Sequence, residues 1–335
     1  MGTAGTRGMS VLVACACVVG LAACSSSSDD ESSTSTEASA ENSNSTETVE
    51  HAYGSTEVPV NPERAISFSQ AWSDSFAALG HPVSTQVISS VFTDDTVPWN
   101  TEASGAAAET ITNTGGGGNA IESFGLEEIA ATDPDVILAG YVPDQATYDA
   151  LSEIAPTVAT VGTGKVDDWR EVTTAAGRVL DEQDRAEEVV ADVDERMAQV
   201  TEEYPAVDGA SFAYAAYTDG SFSVLSSEDD AANKFFTDLG MDLTADEIEG
   251  EANARGIEVS AENISLLDMD LLAVWVRGTT PDDLPDGLSG WSSLPSVEAG
   301  TAAELQSAAA TALGAPTALA IPWLLDELDT YFSNL

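Results

Sequence analysis

The sequence runs to 335 residues and sets 58 acidic side chains against 10 Lys plus Arg, a formal net charge of −48 at pH 7. A surface of that sign repels polyanions and so excludes nucleic acid as a partner. The excess of Asp and Glu, with only Lys165 and Lys234 as lysines, is what a salt-tolerant exported protein tends to show.

At the amino end, Arg7 precedes the apolar run Val11 to Ala23, which is too short and wrongly flanked for a membrane span and reads as a signal peptide. It ends in Leu21-Ala22-Ala23-Cys24, which resembles the bacterial lipoprotein signal. That resemblance implies cleavage before Cys24 and acylation of its thiol, so the expected location is extracytoplasmic, anchored to the cell membrane through an N-terminal lipid. Cys15 and Cys17 leave with the signal (residues 1–23), and the mature chain keeps no cysteine for a disulfide or a thiolate nucleophile. From residue 24 to 48 nearly every position is Ser, Thr, Asp, Glu or Asn, with nothing large to bury, so this segment is expected to be a disordered tether.

The folded part should begin near Val49 with a hairpin over His51 to Gly54 and Thr56 to Pro59. A strand at Ile66 to Phe68 follows, then a helix ending in Leu79-Gly80. Further on, Leu126 to Ala139 (LEEIAATDPDVILA) and Ala261 to Val274 (AENISLLDMDLLAV) repeat one another at an offset of 135 residues. Glu127/Glu262, Ile129/Ile264, Asp133/Asp268 and Asp135/Asp270 are in register. Each copy reads as a short helix, stopped by the second Asp, that leads into a strand covered on both faces. A second strand and helix, Phe212 to Ala216 and then Leu239-Gly240, mirror the first pair. The reading is α/β, with two similar lobes at 49–165 and 206–335 and a ligand crevice at the carboxyl ends of their strands. Between them, residues 166–205 carry apolar residues at spacings of three and four. The helix from about Asp184 to Tyr204 would be roughly 30 Å long at 1.5 Å per residue.

Several stretches resemble, in order, the substrate-binding proteins of iron-siderophore ABC transporters. They are HAYGSTEVPVNPERAISFS, Val97-Pro98-Trp99, the repeat at Leu126, YDALSEIAPTV, VSAENI, Trp291 to Leu294 and IPWLLDEL. The resemblance covers nearly all of the mature chain. It implies two Rossmann-like lobes joined by a single long helix that permits little hinge motion, a ferric siderophore as ligand and an ABC permease as partner. It also implies a monomer, with no catalytic residue and no cofactor, iron being held through the chelator and not by protein side chains. A cobalamin or haem carrier of the same fold is the alternative, and a surface hydrolase or a ligand-free wall lipoprotein stand further off.

His51 and His81 are the only histidines, and both precede the first repeat. A transition-metal site drawing His from both lobes is therefore not expected, and neither is a Ser-His-Asp or Cys-His arrangement. The run Gly115 to Gly118 lacks the Gly-Lys-Ser/Thr of a phosphate loop and is better read as a flexible connection. Trp72, Trp99, Tyr141 and Tyr217 fall where strands should open onto the crevice, and their flat faces suit a large chelate. Arg255 and Arg277 offer guanidinium groups to carboxylate, hydroxamate or catecholate oxygens. The resemblance gives Glu127 and Glu262, one per lobe, the role of docking the permease.

Overall fold

The computed structural model describes residues 45–92, 97–100, 109–113, 120–218, 220–245, 248, 251–253, 256–276 and 288–335. The signal peptide, Cys24, the tether as far as residue 44, Gly115 to Gly118, Arg255 and Arg277 lie outside the described residues.

A hairpin opens the fold, formed by β1 (Thr46–His51) and β2 (Gly54–Pro59), which pair antiparallel and bury Val49 and Val58. It starts at Thr46, so the last three residues assigned to the tether belong to a strand. The hairpin is held at one end by Ala52 N–H donating to Thr160 O at 2.9 Å, and at the other by Arg178 on Glu47 at 2.8 Å.

The first lobe follows as β3 (Ala65–Ser67), α1 (Gln70–Ala78), β4 (Thr85–Ser89), β5 (Glu109–Asn113), α2 (Ala120–Phe124) and α3 (Leu126–Ala131). Then come β6 (Val136–Gly140), α4 (Gln145–Ser152), β7 (Thr157–Ala159) and α5 (Trp169–Val179). Its five strands are all parallel, in the order β5-β4-β3-β6-β7. The order reverses between β3 and β6, and such a switch point leaves a gap at the carboxyl ends of those two strands. Three of these helices start at side-chain caps: Ser69, Asp144 and Asp168 accept backbone N–H groups at the starts of α1, α4 and α5.

Helix α6 (Gln183–Glu203) carries the chain to the second lobe. Its 21 residues span about 31 Å at 1.5 Å per residue. Ala186, Val189, Val193, Met197 and Val200 form its buried stripe. Gly177 lets α5 and α6 approach closely, for a Cβ there would meet the Ala186 Cβ at 2.4 Å.

The second lobe comprises β8 (Ser211–Thr218), β9 (Ser221–Val224), α7 (Ala231–Asp238), β10 (Asp242–Leu243), β11 (Glu251–Asn253) and β12 (Gly256–Ser260). A 3₁₀ segment at Ala261–Leu266 leads to β13 (Leu271–Val276). The chain ends with α8 (Pro295–Ala299), β14 (Ala302–Leu305), α9 (Ser307–Gly314) and α10 (Ala320–Phe332). The sheet order is β11-β12-β9-β8-β13-β14, with β10 beside β8. The strands β10, β8, β13 and β14 are parallel, and β9, β12 and β11 turn antiparallel at one edge.

The internal repeat has a structural basis. Ile129 and Ile264 are both buried, and each repeat ends in a strand whose first four residues are buried. The second Asp of each copy clamps the neighbouring strand. Asp135 accepts the backbone N–H groups of Glu63 and Arg64 at 3.0 and 2.9 Å, just before β3. Asp270 accepts that of Ser211 at 2.8 Å, at the start of β8. The helical part differs, since the first copy is α-helical and the second 3₁₀.

Candidate functional site

At the switch point, Gly140 adopts φ +59°, and a Cβ there would lie 2.9 Å from the Ser69 Cβ and 3.1 Å from Asp167 Oδ2. The Ser69 hydroxyl donates to Asp167, and Asp167 also accepts the Val161 N–H at 2.8 Å. Burial pushes the Asp167 carboxyl up to about 6, against the pull of these hydrogen bonds. This cluster fixes the loops that leave β3, β6 and β7.

The loops that leave β3, β4 and β7 face the second lobe across several cavities, two of which bear on ligand binding. One, of about 270 Å³, is walled by Phe68, Gln70, Ser89, Ser90, Phe92 and Trp99 of the first lobe and by Thr311 and Ala315 at the end of α9. The other, of about 490 Å³, lies between Thr163 to Val166, after β7, and Leu225 to Ser227, Asp229 and Asp230, before α7, with Gly256 and Gly314 completing it. Gly314 borders one and Ala315 the other, so the end of α9 separates two compartments of one crevice.

Charge in the crevice is unevenly assigned. Arg64, Arg170, Arg178, Arg185, Arg196 and Lys234 all sit in ion pairs with Asp or Glu. Lys165 is the one Lys or Arg among the described residues outside any such pair, and it is exposed in the larger compartment. Of the acids there, Asp230 caps α7 by accepting the Ala232 N–H at 3.1 Å, and burial raises its carboxyl above the ordinary range.

The expected aromatic wall is only partly there. Trp99 lines the smaller compartment with its indole N–H donated to Asp74 at 2.8 Å, and its ring lies 5.2 Å from Trp323. Tyr141 follows the carboxyl end of β6 and is 56% exposed, beside the switch point. Trp72 is not in the wall: it is 0% exposed, one turn into α1, and packs edge-on against Phe76 four residues later at 6.1 Å. Tyr217 is not there either. Its register in β8 turns the ring into the core of the second lobe, 4.8 Å from Phe222. The residues that replace them, Phe68, Phe92 and Lys165, were not singled out from sequence.

Glu127 and Glu262 are both exposed, Glu127 in the first turn of α3 and Glu262 in the first turn of the 3₁₀ segment. His51 Nε2 bonds Thr56 Oγ1 at 2.9 Å beneath the opening hairpin, and burial lowers its pKa. His81 lies 3.6 Å from Glu182. Neither histidine borders the two compartments.

A family model described as periplasmic binding protein matches residues 66–309. A curated relative from Bacillus subtilis, the probable siderophore-binding lipoprotein YfiY, is 25% identical over 315 residues, covering 86% of this chain and 88% of its own. Among solved structures, a periplasmic solute binding protein from Mycobacterium smegmatis superposes with a TM-score of 0.67 at 23% identity, over 86% of this chain and 99% of that one. PiaA of Streptococcus pneumoniae in complex with ferrichrome superposes with a TM-score of 0.64 at 22% identity, over 86% and 98%.

Proposed function

The chain belongs to the periplasmic binding protein family, and from that premise we propose that it captures a ferric siderophore outside the cell and delivers it to an ABC importer. The observation that carries this reading is the crevice between the lobes. It combines an aromatic wall of Phe68, Phe92 and Trp99 with Lys165, a cation without a carboxylate partner among the described residues of a chain rich in carboxylates. Compartments of hundreds of cubic ångströms suit a chelate of siderophore size, and an ammonium donor suits its oxygen-rich periphery. Tyr141, exposed just after β6, and Arg255 and Arg277 complete the proposed ligand set. The name of the Bacillus relative and the ferrichrome complex of the pneumococcal one point the same way.

In this reading iron is reached only through the chelator, and the protein works by binding, without a catalytic step or a resident cofactor. It is a monomer held at the outer face of the membrane through acylated Cys24, and Glu127 and Glu262 present one carboxylate from each lobe to the permease.

Haem is the second reading, and it is less favoured because neither His51 nor His81 borders the crevice, which leaves only a tyrosine to serve as an axial ligand. Titration with ferric siderophores, haem and cobalamin, followed by tryptophan fluorescence, tests the proposal. A ferric chelate should quench Trp99, and binding of haem or cobalamin with no response to any ferric chelate would overturn it.

A further inference from the structure

Asp74 has no solvent exposure, and among the described residues its hydrogen bonds come from three neutral donors. Gln70 Nε2, one helical turn earlier on α1, donates to Oδ1 at 2.7 Å. Trp99 Nε1 donates to Oδ2 at 2.8 Å, and so does the hydroxyl of Thr317, 243 residues further along the chain. Thr317 is itself fully buried in the connection between α9 and α10, and its hydroxyl accepts the Ala320 N–H at 2.9 Å where α10 begins.

Two of these donors, Gln70 and Trp99, are walls of the smaller compartment; the third is not. One carboxylate thus holds the ligand-facing side chains of the first lobe and the segment that closes the second. A carboxylate kept from water without a cation is costly, and its three donors are oriented only so long as all three elements stay in register. Trp99 has little freedom otherwise, being packed edge-on against Phe92 at 5.4 Å and against Trp323 of α10 at 5.2 Å. A shift of the connection at Thr317 therefore reaches the indole by two routes, through the shared oxygen and through the ring of Trp323.

We propose that Asp74 is a positioning residue for ligand binding, fixing Gln70 and Trp99 in the crevice wall and tying their orientation to the docking of the α9–α10 connection through Thr317. Cavity shape and lobe arrangement then change together. The proposal rests on the crevice being the ligand site.

Its test is Thr317→Val, which removes the hydroxyl and keeps the shape at a position that lines neither compartment. Two quantities are read: the indole N–H resonance of Trp99 in ligand-free, ¹⁵N-labelled protein, and the dissociation constant for whichever of ferrichrome and a ferric tricatecholate the wild type binds. Thr317→Val should shift the resonance and weaken binding roughly 3- to 10-fold. Thr317→Ser should restore both, and in a Trp99→Phe background Thr317→Val should weaken binding by a smaller factor, through Gln70 alone. A Thr317→Val protein that melts earlier but keeps the wild-type resonance and affinity would reduce Asp74 to a structural staple and overturn the proposal, as would independent effects of the two substitutions. Failure of every ferric chelate to bind would defeat the siderophore reading instead, and the indole resonance would still decide whether Thr317 positions Trp99.

Discussion

Replacing Asp74 by Asn should flatten part of the stability that the protein gains on acidification. Burial raises the Asp74 pKa from 3.8 to about 6, more than its hydrogen bonds lower it. The folded state therefore binds a proton at this site between pH 6 and 4 that the unfolded chain has already lost. Stability from this group is complete below pH 3.8 and is lost as pH rises through 6. The shift of about 2 units corresponds to a limit of roughly 3 kcal/mol, on the order of 1 to 2 kcal/mol of which is recovered between pH 7 and 5. Relief of repulsion among the other acids, and the raised Asp167, act in both proteins and cancel in the comparison. Urea midpoints of wild type and Asp74→Asn at pH 7, 6, 5 and 4.5 measure it: the wild-type curve should rise more steeply on acidification by that amount, equivalent to a few degrees in melting temperature. Parallel curves, or a steeper rise in the variant, would mean that Asp74 titrates as an ordinary carboxylate and that its burial is not as described.

Lys165→Gln should weaken an anionic ferric chelate by about 1 to 2 kcal/mol, or roughly 5- to 30-fold, as expected for one exposed charge contact; fluorescence titration reads it, and unchanged affinity removes Lys165 from the site. Reversing Glu127 and Glu262 together to Lys should abolish uptake by cells and leave chelate binding in solution intact, so normal transport by the double variant refutes docking. Gly177→Ala places a methyl against Ala186 and should destabilise the α5–α6 pair by about 1 to 3 kcal/mol in urea melts. Cys24→Ala should release the protein from membranes or leave it unprocessed without altering affinity; an unacylated wild-type Cys24 that still fractionates with membranes would contradict the anchor.

The repeat at Leu126 and Ala261 was readable because buried parallel strands write themselves as unbroken apolar runs, and because the clamp on the neighbouring strand needs a carboxylate just before each run. The crevice wall was less readable because position in the chain tells where a strand ends, not where a side chain points. Tyr217 ends up inside the sheet by the two-residue alternation of β8. The inward face of Trp72 could have been read from its spacing of four to Phe76. Lys165 carries no such signal. Its meaning comes from the other described Lys and Arg residues having partners, and two of those partners, Asp238 for Arg170 and Asp326 for Arg196, are 68 and 130 residues away.

The Asp74–Thr317 bond also closes a loop through most of the chain, joining residues 243 positions apart. The hairpin and all five strands of the first sheet are complete by Ala159, and the second sheet runs from β8 to β14, so each sheet is built from contiguous sequence. The bond between them comes from a residue beyond β14, across the longest side-chain separation of any hydrogen bond described. Because the entropic cost of closing such a loop grows only with the logarithm of its length, insertions in the surface loops between α1 and the α9–α10 connection would leave the cost of forming this contact nearly unchanged.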